Sequence, residues 1–283
     1  MLLYIDAPHG RAANPRGLNV NGNVAWLLME LVSPITCFLA ACSEPFESTP
    51  NAMLLPSFQN FDMHRIRALP AARLSLLLAF LLHYLHRSLI STLRNPGRSP
   101  MHVSVPISAM VFNLLNGYLI GSWLSGRCLS VPHNPVHTPS SSLGPAWAQF
   151  SLYMVGWALG FGSNIAHDEL LSRLRRSSKT KARYSVPHGL LYSSPFGGIS
   201  CPHYLSELFE WLTFAGAASV AVHQLEQTSS VCDHDLFHSP PGLFFLAMVA
   251  VLMPRAIRTH RWYVKRFGGL IPNNRRAIIP GLL

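Results

Sequence analysis

The chain has 283 residues, of which 49% are hydrophobic and only 12% charged, where soluble domains run at about a quarter charged. That shortage of charge excludes an ordinary soluble domain. The formal net charge of +10 raises nucleic-acid binding, whose footprint is a clustered basic patch, but the basic residues are distributed by loop, as a membrane topology would require.

In chain order, residues 1–22 form a polar N-terminal segment. It lacks the basic start and long apolar core of a cleavable signal peptide. Six apolar stretches follow, at 23–42, 72–93, 102–124, 146–166, 207–225 and 240–258. Each reaches the ~20 residues a helix needs to cross ~30 Å of hydrocarbon at ~1.5 Å per residue. The expectation is an all-α fold, a polytopic transmembrane helical bundle of about six spans, with residues 23–283 as one membrane-embedded domain without internal repeats. Between the third and fourth spans, SGRCLSVPHNPVHTPSSSLGP (125–145) reads as a loop, as does EQTSSVCDHDLFHS (226–239) between the fifth and sixth. Their histidines show no HxH or HxxxH spacing and read as solvated. LSRLRRSSKTKAR (171–183) continues the fourth helix for about two turns and then becomes a basic loop, and the tail from 255 mixes basic with aromatic residues.

Six spans place the N-terminus, the 94–101 loop, the 167–206 loop and the C-terminal tail on one side, with 17 of the 22 Lys and Arg. The other side holds Arg65, Arg67, Arg73 and Arg127. Basic residues in short loops mark the cytosolic face, so the first side is expected to be cytosolic and no nucleic-acid partner is needed. Cys37, Cys42, Cys128, Cys201 and Cys232 show no CxxC pair or metal-ligand spacing, so neither a disulfide framework nor a metal site is expected.

Ionisable side chains inside a span are costly and are functional candidates by default. Glu30 lies ~10 Å from the cytosolic end of the first span, and on the antiparallel second span Tyr84 and Arg87 lie ~14 Å and ~9 Å deep by the helical rise. His83, Tyr84 and Arg87 share a broad helix face. Two readings stay open: an interhelical ion pair that holds the bundle, or a carboxyl and a phenol placed to bond a carbonyl oxygen. Near the cytosolic ends, Asn164, Asp168 and Arg175 form one helical stripe, and His203, Glu207 and Glu210 another. These are either salt-bridged bundle ends or the makings of a phosphate site.

The segments AWLLMEL, HYLHR, the GR of NPGRSP, NGYL, NIAHDELLSRLR, YSVPHGLLY, SELFEW, RAIRTHRWYVKRF and RRAIIPGLL occur in an order and spacing that resembles the steroid 5α-reductase (3-oxo-5α-steroid 4-dehydrogenase) family. The resemblance runs from Trp26 to Leu283, with the C-terminal signature over 146–283. It implies NADPH-dependent reduction of the C=C bond of an α,β-unsaturated ketone in a steroid or related lipid that enters from the bilayer. Glu30 and Tyr84 would be the catalytic pair that holds the carbonyl. By the same resemblance Trp26, Arg87, Arg98, Asn164, Asp168, Arg175, Tyr184, His203, Glu207, Arg255, His260, Tyr263 and Arg275 match positions that line or support the NADPH site. It also implies residence in the endoplasmic reticulum, with the cofactor on the cytosolic side. No strand followed by GxGxxG is present, so the site is not of the Rossmann kind. Gly156, Gly160 and Gly162 read as helix-packing residues.

This sequence departs from the family at Met29, where a glutamine is usual, at His203, where steroid-reducing members have Asn, and at Thr259, which replaces the first of two histidines and leaves His260. The family's seven spans imply that the first is missing here. Alternatives of the same chemistry are a polyprenol-type or enoyl-CoA reductase. Outside it stand a methyltransferase of the isoprenylcysteine type, suggested by CPHYLSE, and an inactive membrane scaffold. An iron desaturase would need clustered histidine boxes, and only His83 and His86 come close.

Overall fold

The structure, a computed structural model, describes residues 17–43, 58, 60–95, 97–126, 143–177, 198–225, 237 and 239–281, with the side chains of 175–177 and 223 outside the description. The long helices are α1 (Gly22–Cys42), α3 (Ala71–Leu85), α5 (Ser104–Leu124), α6 (Leu143–Ser177), α7 (Pro202–Val220) and α8 (Pro240–Phe267). Short helices α2 (His64–Arg67) and α4 (Ser91–Arg94) flank α3, and two-residue strands β1 (Asn19–Val20) and β2 (Met101–His102) pair antiparallel. All six expected spans are therefore helical.

Four of them, at Gly22–Cys42, Ala71–Arg94, Ser104–Leu124 and Pro240–Leu270, are long and apolar enough to cross a membrane by length and composition. The helices α6 and α7 are long enough but carry more polar side chains, among them the buried Asn164, Glu207 and Glu210. At 35 residues, α6 runs for ~52 Å, well beyond the ~30 Å of hydrocarbon. Its length accounts for the basic stretch that follows the expected span. The structure also starts the fifth helix at Pro202 rather than 207 and extends the last to Phe267.

The described residues fall into two compact units, one from Met154–Thr213 with Phe245–Leu283, the other from 17–153 with Phe214–Phe244. In the second unit, Asn21 caps α1 by accepting from the Asn23 and Val24 N–H groups, which satisfies two otherwise orphaned donors. Pro34 sits inside α1 and lacks the N–H that would bond the Glu30 carbonyl four residues back. The helix α5 packs on α1 through Gly117 and Gly121: a Cβ on Gly117 would strike Thr36 Oγ1 and the Ser33 carbonyl, and one on Gly121 the Cys37 carbonyl. Glycine thus lets the two backbones meet, as small residues do in membrane helices.

In the second span the α-helix gives way to a π-helical turn at His86–Ile90. Such turns insert a residue and shift the faces of a helix, often at functional sites. Arg73, buried near the start of α3, donates to the Trp123 and Leu124 carbonyls at 3.0 and 3.3 Å and so closes the C-terminal end of α5.

In the other unit, a parallel bridge joins Ile199 to Arg276. Ser200 N donates to the Arg276 carbonyl at 2.9 Å, Cys201 N to the Ala277 carbonyl at 3.0 Å, and Arg276 N to the Gly198 carbonyl at 2.9 Å. Cys201, Ala256, Ala277 and Ile278 form the core beneath, with Tyr204, Leu205 and Met253 against it. The C-terminal segment is thereby fastened to the start of α7. Along α6, Gly156 meets Thr213 and Gly160 meets the Glu210 backbone, whereas nothing lies within 4 Å of a Cβ on Gly162. The packing role expected of these glycines therefore holds for two of the three. Cys37, Cys42 and Cys201 are buried and form no disulfide among the described residues, and Cys128 and Cys232 lie outside the described residues.

Candidate active site

Within the second unit Glu30 pairs with Arg87, and Tyr84 with Asn116. Glu30 and Tyr84 are 7% and 4% exposed, and Arg87 Nε donates to Glu30 Oε1 at 3.2 Å. The ion pair allowed by the sequence is thus formed. The π-helical turn carries Arg87, and the Trp26 Nε1–H donates to the Arg87 carbonyl at 3.3 Å. The Trp26 ring is faced by two guanidinium groups, Arg87 at 5.2 Å and Arg98 at 4.2 Å from its centroid. Such cation–π contacts contribute about 0.5–2 kcal/mol. Arg98 is placed by its loop: its N–H donates to Asn23 Oδ1 at 3.0 Å and its Nη2 to Ser91 Oγ at 3.1 Å.

Tyr84 is held from two sides. Its ring packs tilted on Phe80 at 4.7 Å between centroids, and its phenol oxygen accepts from Asn116 Nδ2 at 3.2 Å. Asn116 also lies 3.5 Å from Ser33 Oγ, and Asn113 Nδ2 donates to the Met29 carbonyl at 2.6 Å. Buried carboxyl, phenol and amide groups within apolar helices can bond a ligand oxygen.

The other unit gathers a second set. Asp168, Glu207 and Arg255 all lie within electrostatic reach of the Tyr204 phenol. His203 lies with its ring 4.1 Å from that of Tyr204. His260 Nδ1 is 2.8 Å from Ser200 Oγ, with Arg275 and Arg276 in electrostatic reach. Tyr263 stacks on Phe267 at 5.8 Å. Asn164 is buried on α6 beside Ser163, whose Oγ lies 2.8 Å from Ser206 Oγ. The Arg175 side chain and Tyr184 lie outside the described residues. Sequence reasoning singled out none of Tyr204, Ser200, Ser163, Ser206 and Asn113, and met Asn116 only as part of NGYL.

The model of the family described as 3-oxo-5-alpha-steroid 4-dehydrogenase matches residues 99–225 and 235–283. The chain belongs to the 3-oxo-5-alpha-steroid 4-dehydrogenase family. It is an integral membrane protein and an oxidoreductase by that membership. Among its relatives, an uncharacterised protein of Schizosaccharomyces pombe is 36% identical, with 99% of this chain and 93% of the relative covered. Steroid 5-alpha-reductase DET2 of Arabidopsis thaliana is 29% identical over 99% and 89% of the two chains. The 3-oxo-5-alpha-steroid 4-dehydrogenase 1 of Homo sapiens is 28% identical over 98% and 86%.

A steroid dehydrogenase of this family uses a nicotinamide cofactor in general terms, and the residues present fit one. Arg275, Glu207 and Asn164 are polar side chains buried in this unit. Guanidinium groups match pyrophosphate and 2′-phosphate oxygens bidentately. No group of three or more His, Cys, Asp or Glu that could hold a metal ion occurs among the described residues.

Proposed function

We propose that this family member reduces the C=C bond of an α,β-unsaturated ketone, in a steroid or related lipid drawn from the bilayer, at the expense of NADPH. The observation that carries the reading is a buried carboxyl and a buried phenol inside otherwise apolar helices, Glu30 paired with Arg87 and Tyr84 with Asn116. Bound NADPH supplies a hydride to the β-carbon of the enone. The Tyr84 O–H donates to the ketone oxygen, and Glu30 is the second residue that holds the carbonyl. Withdrawing electron density from the carbonyl makes the β-carbon electrophilic and stabilises the enolate that forms as the C=C electron pair moves toward oxygen. A proton from solvent then adds at the α-carbon and restores the ketone. Arg87 holds Glu30 in place.

Residues proposed to hold the cofactor are Trp26, Arg87, Arg98, Asn164, Asp168, Arg175, Tyr184, His203, Glu207, Arg255, His260, Tyr263 and Arg275. The arginines are the partners of its phosphates. The site is proposed to face the cytosol, with the protein resident in the endoplasmic reticulum.

The test is to incubate detergent-purified protein with NADPH and a 3-oxo-4-ene steroid and follow loss of the enone absorbance. Turnover that requires both supports the reading. Reduction of a polyprenal or an enoyl thioester with none of the steroid moves the substrate to a sister branch. Binding of S-adenosylmethionine without NADPH binding rejects the reductase altogether.

A further inference from the structure

The helix α5 carries two buried amides that the reaction as written does not use. Asn113 and Asn116 are three residues apart and so lie on one helix face, each 6% exposed. Asn113 donates to the Met29 carbonyl at 2.6 Å and thereby fixes the turn of α1 that carries Glu30. Asn116 donates to the Tyr84 phenol oxygen at 3.2 Å and lies 3.5 Å from the hydroxyl of Ser33, three residues beyond Glu30. A position needed only for packing would be filled by an apolar residue, since a buried amide costs ~1–3 kcal/mol when left unbonded.

The direction of the Asn116 bond decides its consequence. A phenol has one proton and two lone pairs. An amide N–H donated into the oxygen occupies a lone pair and leaves the proton for another acceptor. Donation into the oxygen also polarises the O–H and strengthens the bond it makes in turn. An amide oxygen at the same place would take the proton away from the substrate.

We propose that Asn116 is a positioning residue for enone reduction, its amide holding the Tyr84 phenol so that the O–H is presented to the substrate ketone. The proposal rests on the assignment of Tyr84 to that ketone. Asn116 acts through Tyr84, so its effect belongs to the transition state rather than to substrate capture.

The experiment compares Asn116→Ala, Asn116→Leu, Tyr84→Phe and the two double variants in the full-length protein, with NADPH and a 3-oxo-4-ene steroid. Expected for both Asn116 variants is a kcat about tenfold lower, the size of one lost hydrogen bond, with KM for the steroid within about twofold. In the Tyr84→Phe background the same changes cost less than about twofold, because their target is gone. A second measurement needs no turnover. The absorbance of the enone bound with NADP+ shifts to the red when its carbonyl is hydrogen-bonded, and this shift should shrink in both Asn116 variants.

Wild-type kcat and an unchanged shift in Asn116→Leu would overturn the proposal, since leucine fills the space without a donor. An equal loss in the Tyr84→Phe background would overturn it too, while leaving the carbonyl assignment standing. Full activity of Tyr84→Phe itself would remove the carbonyl assignment and this proposal together.

Discussion

Glu30 and Arg87 respond differently to removal because each leaves a different group behind. Glu30→Gln keeps the shape of the side chain and removes a charge from an apolar helix. The expectation is a folded, detergent-extractable protein whose enone reduction falls by at least about 100-fold, the effect of losing a key polarising contact. Near-wild-type turnover would remove Glu30 from the reaction. Arg87→Ala instead leaves a carboxylate without its partner. A fully buried pair broken in this way costs ~3–5 kcal/mol. The pair here is 20% and 9% exposed, so about 1–3 kcal/mol is expected, read as a lower thermal midpoint in detergent. An unchanged midpoint would show that the pair does not hold the bundle. These two residues were legible in the sequence because an ionisable group within an apolar stretch stands out. The two asparagines of α5 were less so, because an amide without charge names no partner, and only the geometry shows which carbonyl and which phenol they bond. The Trp26 sandwich escaped for a further reason: its two arginines come from positions 87 and 98, and nothing local links them to residue 26.

At the scale of elements, helix positions follow from hydropathy, since a lipid interior leaves the backbone few alternatives to the helix. Details set by packing do not. The π-helical turn at His86–Ile90 has no composition signal, yet it carries Arg87, whose carbonyl accepts from Trp26. The paired strands β1 and β2, two residues each, are likewise too short to show any alternation. Glycine contacts divide in the same way. Gly117 abuts Thr36 and Ser33, one turn from Glu30, while Gly162 faces open space. Gly117→Ala should force α1 and α5 apart and destabilise the protein by about 1–3 kcal/mol, the usual cost of overpacking. Gly162→Ala should leave the thermal midpoint unchanged or slightly raised, since alanine is the better helix former. Equal midpoints for the two variants would contradict the tight approach of α1 to α5.

Across the whole molecule, the number of times the chain crosses the bilayer turns on α6 and α7. Their polar side chains keep them out of a simple length-and-hydropathy criterion that α1, α3 with α4, α5 and α8 satisfy. If both cross, there are six spans; if neither does, there are four, and the end of α8 falls on the same side either way. Only the stretch joining α6 to α7 changes side, so a probe there distinguishes the two. Arg67, Arg173 and Lys265 are all exposed and can each be changed to cysteine in a background whose native cysteines are replaced by alanine. With six spans, Arg173→Cys and Lys265→Cys react from the cytosolic side of sealed microsomes with a membrane-impermeant maleimide, and Arg67→Cys reacts only after permeabilisation. With four, Arg173→Cys follows Arg67→Cys instead. The six-span outcome is expected because it puts Arg173, its neighbours Arg175 and Arg176, and the basic end of α8 together on the face that attracts positive charge. The other outcome would leave the arginine-rich end of α6, with the Arg175 proposed for NADPH, on the side away from a cytosolic cofactor pool.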